Sequence, residues 1–158
     1  TQKVLVVHTD NYIKTPAKPL HHTYLMNNPT KWVRWAIEND VKVLITHGAR
    51  LSRDAISLAM EHKNIVIGIA PGILIMNSDL DRLETPTKNF EKDLLSIVPI
   101  DQLVFDIDYG WNVINRNDWQ SNDWDMCQRI DLIASELGID AQKLESFYSG
   151  NAERFFNL

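Results

Sequence analysis

The chain has 158 residues, with 16 Lys plus Arg against 21 Asp plus Glu, and a formal net charge of −5 at pH 7. Hydrophobic residues make up 44% and charged residues 23%, ordinary globular usage that argues against a disordered, collagen-like or highly charged tail protein. The acidic balance and the lack of any Lys/Arg run argue against a nucleic-acid partner, whose binding would need clustered cations.

In chain order, the first element is a strand, Val4 to Val7, followed by a long loop from Asp10 to Asn27 that carries Pro16 and Pro19. A helix then starts at Asn28-Pro29, with Asn28 as N-cap and Pro29 in the first turn, where its missing N–H costs nothing. Trp32, Trp35 and Ala36 fall on one face of it and are expected to pack. A second strand, Val41 to Ile45, precedes a helix capped by Ser52, with Ile56, Ala59 and Met60 at helical spacing and His62 in the last turn. The third strand, Ile65 to Ile69, leads into a second long loop from Ala70 to Pro86, and a helix following Thr87 carries Phe90 and Leu94.

The fourth strand is Leu103 to Ile107. The strongest helix, Asn122 to Leu137, has Met126, Ile130, Ile133 and Leu137 on one face and Gly138 as its stop; Trp119 and Trp124 read as packing residues. Asp140 caps a last helix carrying Leu144, Phe147 and Tyr148, which Gly150 should end. Strand then helix, repeated, with gaps too long for hairpins, means parallel strands joined by crossovers. The expected class is α/β, in one domain over residues 1–158, with consecutive apolar positions indicating strands covered on both faces.

No apolar stretch approaches the ~20 residues of a bilayer span, and the first residues lack the basic and apolar segments of a secretory signal, so no membrane partner is expected. The single cysteine, Cys127, can form no intrachain disulfide and is expected in a core, which fits a reducing, cytoplasmic setting. The sequence enters a strand within a few residues of Thr1 and reads as a piece of something longer.

Chemistry-bearing residues gather at strand ends. His8 follows the first strand, His47 follows the second with Gly48 allowing a tight turn, and the fourth runs through Asp106 to Asp108. Singly, each has a bland explanation: a core histidine bonded to backbone, or a capping carboxylate. Together, parallel strands present His, His and Asp at one end, where α/β proteins place their sites. Imidazole and carboxylate are ligands of Zn²⁺, Mn²⁺ or Fe²⁺, so a divalent metal site, most simply zinc, is the economical reading. Spacing does not say which of the three coordinate and which handle protons. Arg50, Tyr109 and Trp111 follow these tips and are candidates to line a pocket for a small-molecule substrate; pairing with a surface carboxylate (Arg50) or covering the sheet edge (Trp111) is the competing reading. His21 and His22 read as solvated loop residues. No Gly-rich phosphate loop follows any strand, which counts against a dinucleotide fold.

The runs Val-Leu-Val-Val-His-Thr, Val-Leu-Ile-Thr-His-Gly, Leu-Val-Phe-Asp-Ile-Asp-Tyr-Gly and Leu-Gly-Ile-Asp-Ala-Gln-Lys-Leu, with the ending Gly-Asn-Ala-Glu-Arg-Phe-Phe-Asn-Leu, resemble the C-terminal half of the amidohydrolase-related metal-dependent hydrolases. That group includes decarboxylases similar to aminocarboxymuconate semialdehyde decarboxylase. The resemblance covers nearly the whole chain and implies strands five to eight of a TIM-like (β/α)₈ barrel. It implies His8 as a metal ligand, His47 as a ligand or the positioner of the attacking water, and Asp108 as a metal ligand and proton acceptor. Asn151 and Arg154 fall in the terminal motif, whose implied role is structural.

Two small departures are Gly110, where the family often has Pro, and Asp106, where Gly is frequent. A larger one is the absence of the family's first-strand His-x-His pair with the rest of the N-terminal half. A barrel of this kind takes ~250 residues, so either a missing N-terminal half-barrel or a homo-oligomer would have to complete it. Hydrolysis of an amide, ester or lactone is the leading expectation, decarboxylation the runner-up, and a non-catalytic module that keeps the fold the third.

Overall fold

The computed structural model describes residues 3–9, 29–69, 89–106 and 119–158, without the side chains of residue 50 and residues 119–126. Its centre is a four-stranded parallel sheet in the order β1-β2-β3-β4, with β1 Val4–Val7, β2 Lys42–Ile45, β3 Ile65–Ile69 and β4 Leu103–Phe105. Helices α1 Pro29–Glu38, α2 Arg53–Glu61 and α3 Phe90–Ile97 lie between successive strands, and α4 Trp119–Glu136, α5 Ala141–Glu145 and α6 Asn151–Phe156 follow. The alternation read from sequence is therefore present. Spatial order equals chain order, with no point at which the winding reverses.

Strand alternation divides the sheet cleanly. Val7, Val43, Ile45, Ile65, Ile67, Ile69 and Leu103 join Val33 and Ala36 of α1, Ala55, Ile56 and Ala59 of α2, and Phe90 and Leu94 of α3 in one core. On the opposite face Leu44, Val66 and Val104 form a smaller cluster with Phe155 of α6. All five residues of β3 are buried, as expected of a central strand, but β1 is not covered on both faces: Val6 is 56% exposed.

Local sequence explains most element ends. Ser52 Oγ accepts from the Ala55 N–H, and Asp140 Oδ1 from the Lys143 N–H, as the sequence predicts. Asn89 caps α3 in the same way. Gly138 takes φ +69 after α4, and Ile130 and Ile133 are buried. His62 sits at the C-cap of α2, and the Gln102 amide donates to the Ala59 carbonyl near it.

Three expectations are corrected. Trp32 and Trp35 are 39% and 46% exposed, because Pro29, Val33 and Ala36 form the buried stripe of α1. Met60 is exposed for the same reason, with Ala55, Ile56 and Ala59 facing the sheet. Gly150 does not end the last helix: at φ −60 and ψ −31 it is helical, and a π-turn over Ser146–Gly150 joins α5 to α6, which stops at left-handed Asn157. Within that turn the Tyr148 hydroxyl donates to Asp131, with the Cys127 carbonyl as a second acceptor. Burial and that carboxylate push the phenol pKa up, so Tyr148 keeps its proton.

The continuous C-terminal helix seals one end of the sheet. Asn151 Nδ2 donates to the Ile100 and Leu103 carbonyls at 2.7 and 2.6 Å, at the start of β4, and the Arg154 guanidinium donates to the side-chain oxygen Oδ1 of Asn151. Lys42, at the start of β2, donates to the Phe155 carbonyl at 2.6 Å. The base of the sheet is thus closed, and the other end carries the polar residues. Asn151→Ala would leave two carbonyl acceptors unmade, and equilibrium urea unfolding is expected to show a loss of about 2–4 kcal/mol.

Candidate functional site

At the C-terminal ends of β1 and β2, His8 and His47 meet. Their ring centroids are 4.7 Å apart with planes at 88°, an edge-on contact. His8 is exposed and His47 only 5% exposed, so one imidazole opens outward and the other is held beneath it.

The contact follows from a hydrogen-bonded clamp between the two strand ends. The Thr46 N–H donates to the Val7 carbonyl at 3.0 Å, continuing the ladder one residue past the strands. Beyond it, the Thr9 hydroxyl donates to the Thr46 carbonyl at 2.6 Å and the Thr9 N–H to Thr46 Oγ1 at 3.3 Å. Thr46 Oγ1 in turn lies 3.4 Å from the Val7 carbonyl as its donor. Residues on both sides of His8 are thereby tied to the residue before His47. Both threonines are buried, where such groups must be paired.

After Thr46 the backbone turns sharply through His47–Leu51, with φ of +53 at His47, +58 at Gly48, +51 at Ala49 and +54 at Leu51. Left-handed backbone at a non-glycine residue costs about 1–3 kcal/mol and persists only where its surroundings impose it. Here they do: Ala49 and Leu51 are buried, and the Phe90 ring packs directly on Gly48. The strained turn re-aims His47 out of the strand alternation that would otherwise direct it into the helix-facing core.

Of the residues selected from sequence, His8 and His47 are brought together. Arg50 lies in the strained turn by its backbone, with its side chain outside the described residues, and Asp108, Tyr109, Trp111, His21 and His22 lie outside them as well. Asp106, from the same fourth-strand run, is described: its N–H donates to the Ile69 carbonyl at 2.9 Å, extending the β3–β4 ladder. Thr9 and Thr46 are the residues that reading by chemistry alone passes over. Their signal is present, since a β-branched hydroxyl residue adjoins the histidine at each strand end.

Two imidazoles on one tetrahedral ion, with bonds of about 2.0–2.1 Å, have ring centroids about 5 Å apart, a spacing the observed contact approaches. Both side chains are of a type that ligates divalent metals. Among the described residues no group of three His, Cys, Asp or Glu side chains could hold an ion.

Compared with family models, curated proteins and solved structures, the chain has no match. No helix among the described residues is long and apolar enough to cross a membrane.

The turn gives a test of the site's construction. A Cβ at Gly48 would collide with the Phe90 ring, lie 2.9 Å from Leu94 Cδ2 and force an L-residue into left-handed backbone. Gly48→Ala is expected to cost about 2–5 kcal/mol by thermal or denaturant unfolding, from left-handed strain plus overpacking.

Proposed function

We propose that His8 and His47 belong to a metal-dependent hydrolytic site on a TIM-like barrel, of which this chain supplies strands five to eight, in the manner of the amidohydrolase-related enzymes it resembles. The observation that carries this reading is the ring contact between two histidines at the C-terminal ends of adjacent parallel strands. Unreversed strand order and the single helix-facing core are what a barrel wall requires, and in such barrels the strand C-termini carry the chemistry.

A divalent cation held there, zinc, manganese or iron, would supply a Lewis acid that brings the pKa of bound water toward ~7. The exposed imidazole of His8 is a ligand in this scheme. The buried His47 ring serves as ligand or orients the attacking water, its position fixed by the Thr46 clamp and the turn. With such a cation bound, Asp108 would be the carboxylate placed to accept a proton from water, and the chemistry supplied would be hydrolysis of an amide, ester or lactone carbonyl of a small-molecule substrate. Arg50, Tyr109 and Trp111 are the candidates to contact that substrate.

His8→Ala in the complete protein is expected to remove both bound metal, by elemental analysis, and hydrolysis. Retention of stoichiometric metal would overturn His8 as a ligand.

Among the described residues the sheet has two outer strands, β1 and β4, and β1 exposes Val6. Such edges call for closure by further strands, from an N-terminal half-barrel or a second copy. Light scattering on the 158-residue chain alone is therefore expected to show self-association. A stable monomer with sharp thermal unfolding would count against the half-barrel.

A further inference from the structure

The two tryptophans that packing leaves outside the core serve neither the sheet nor the histidine pair. Pro29, Val33 and Ala36 take the side of α1 that meets the sheet, and Trp32 and Trp35 share its outer side at 39% and 46% exposure. Indoles are large apolar rings that gain much from burial, and they concentrate at interfaces between proteins. Helical spacing adds Lys31, one turn before Trp35, and Glu38, one turn after it, to the same outer side. Both are exposed, and Lys31 Nζ lies 5.4 Å from the centroid of the Trp32 ring. Among the described residues none of Lys31, Arg34 and Glu38 forms an ion pair.

The order of charges along this helix points to what covers it. α1 has no acidic residue in its first turn and no basic one in its last; it carries Lys31 at the positive end of its dipole and Glu38 at the negative end. In a lone helix both charges oppose the dipole. An antiparallel copy of the same helix reverses both terms, because each Lys31 end then meets the Glu38 end of the other helix and the negative end of its dipole. The surface is thus complementary to itself, which a two-fold axis requires. We propose that α1 is the interface of a homodimer, with Trp32 and Trp35 of one protomer packed against those of a second copy and Lys31 of each paired with Glu38 of the other. A register that sets Trp32 opposite Trp35 leaves Lys31 and Glu38 offset by about 3 Å along the axis, within reach of a lysine side chain.

The test measures the dimer dissociation constant of the complete protein by sedimentation equilibrium, at concentrations up to about 200 μM. Trp32→Ser combined with Trp35→Ser should weaken dimerisation at least about 100-fold and leave the far-ultraviolet circular dichroism unchanged, since neither ring is in the core. Lys31→Glu and Glu38→Lys should each weaken it about tenfold, by turning two symmetric attractions into repulsions. An equimolar mixture of these two charge variants should recover the wild-type affinity within about threefold, as a heterodimer in which both pairs are restored. Absence of that recovery, or an unchanged constant in the tryptophan variant, overturns the inference; if the tryptophan variant does not fold, the charge-variant mixture decides alone. A wild-type protein that does not double also overturns it, including one that instead binds phosphatidylserine vesicles or an acidic peptide through this face. Association through the open sheet edges does not involve α1 and is not altered by these substitutions, so the two kinds of assembly are read separately.

Discussion

Everything at the polar end of this sheet depends on the hydrogen-bonded link between Thr9, Thr46 and Val7. Parallel strands adjoin along their ladder, but a ladder alone does not determine where the chain goes once it leaves the sheet. The threonine pair carries order one step further, so the residues that follow β1 and β2 are placed relative to each other and not merely to their own strands. Two imidazoles on independent loops would each lose rotamer and backbone freedom on meeting. Here most of that ordering is already imposed by buried backbone and hydroxyl groups.

The strained turn after Thr46 works in the same sense. Ordinary strand geometry would continue the alternation and send residue 47 to the helix side, with Ile45. Left-handed backbone breaks that alternation, and the burial of Ala49 and Leu51 with the Phe90 ring against Gly48 keeps it broken. Packing of α3 is thus coupled to the orientation of a histidine on another element.

The architecture was legible where the hydrophobic code is local. Runs of β-branched residues mark the strands, and Ser52, Asp140 and Gly138 mark helix ends through hydrogen bonds and backbone freedom that a few residues determine. The chain misleads where distant partners decide. Trp32 and Trp35 have the bulk of core residues, but the stripe of α1 that meets the sheet is made of smaller side chains. Gly150 has the chemistry of a stop, but Asn151 is recruited by carbonyls at the start of β4, and the helix runs on through a π-turn. Of the site, the meeting of His8 and His47 could be read from their strand-end positions. The threonine clamp was legible only in part: a threonine adjoins the histidine at each strand end, but hydroxyl pairing across 37 residues has no spacing signature.

The fastening at the sheet's base has a consequence for how the chain acquires its shape. The bond from Lys42 to the Phe155 carbonyl joins residues 113 apart, whereas β1, β2, β3 and β4 pair as successive neighbours. Strand pairing can therefore proceed in the order of synthesis, each unit docking on the one before. The seal at the base must wait for residues 151–157, and closing so long a loop is an entropic cost met only late. Until then the apolar side bearing Leu44, Val66 and Val104 lacks Phe155, so a nascent chain stalled before that helix would expose a sticky surface to chaperones.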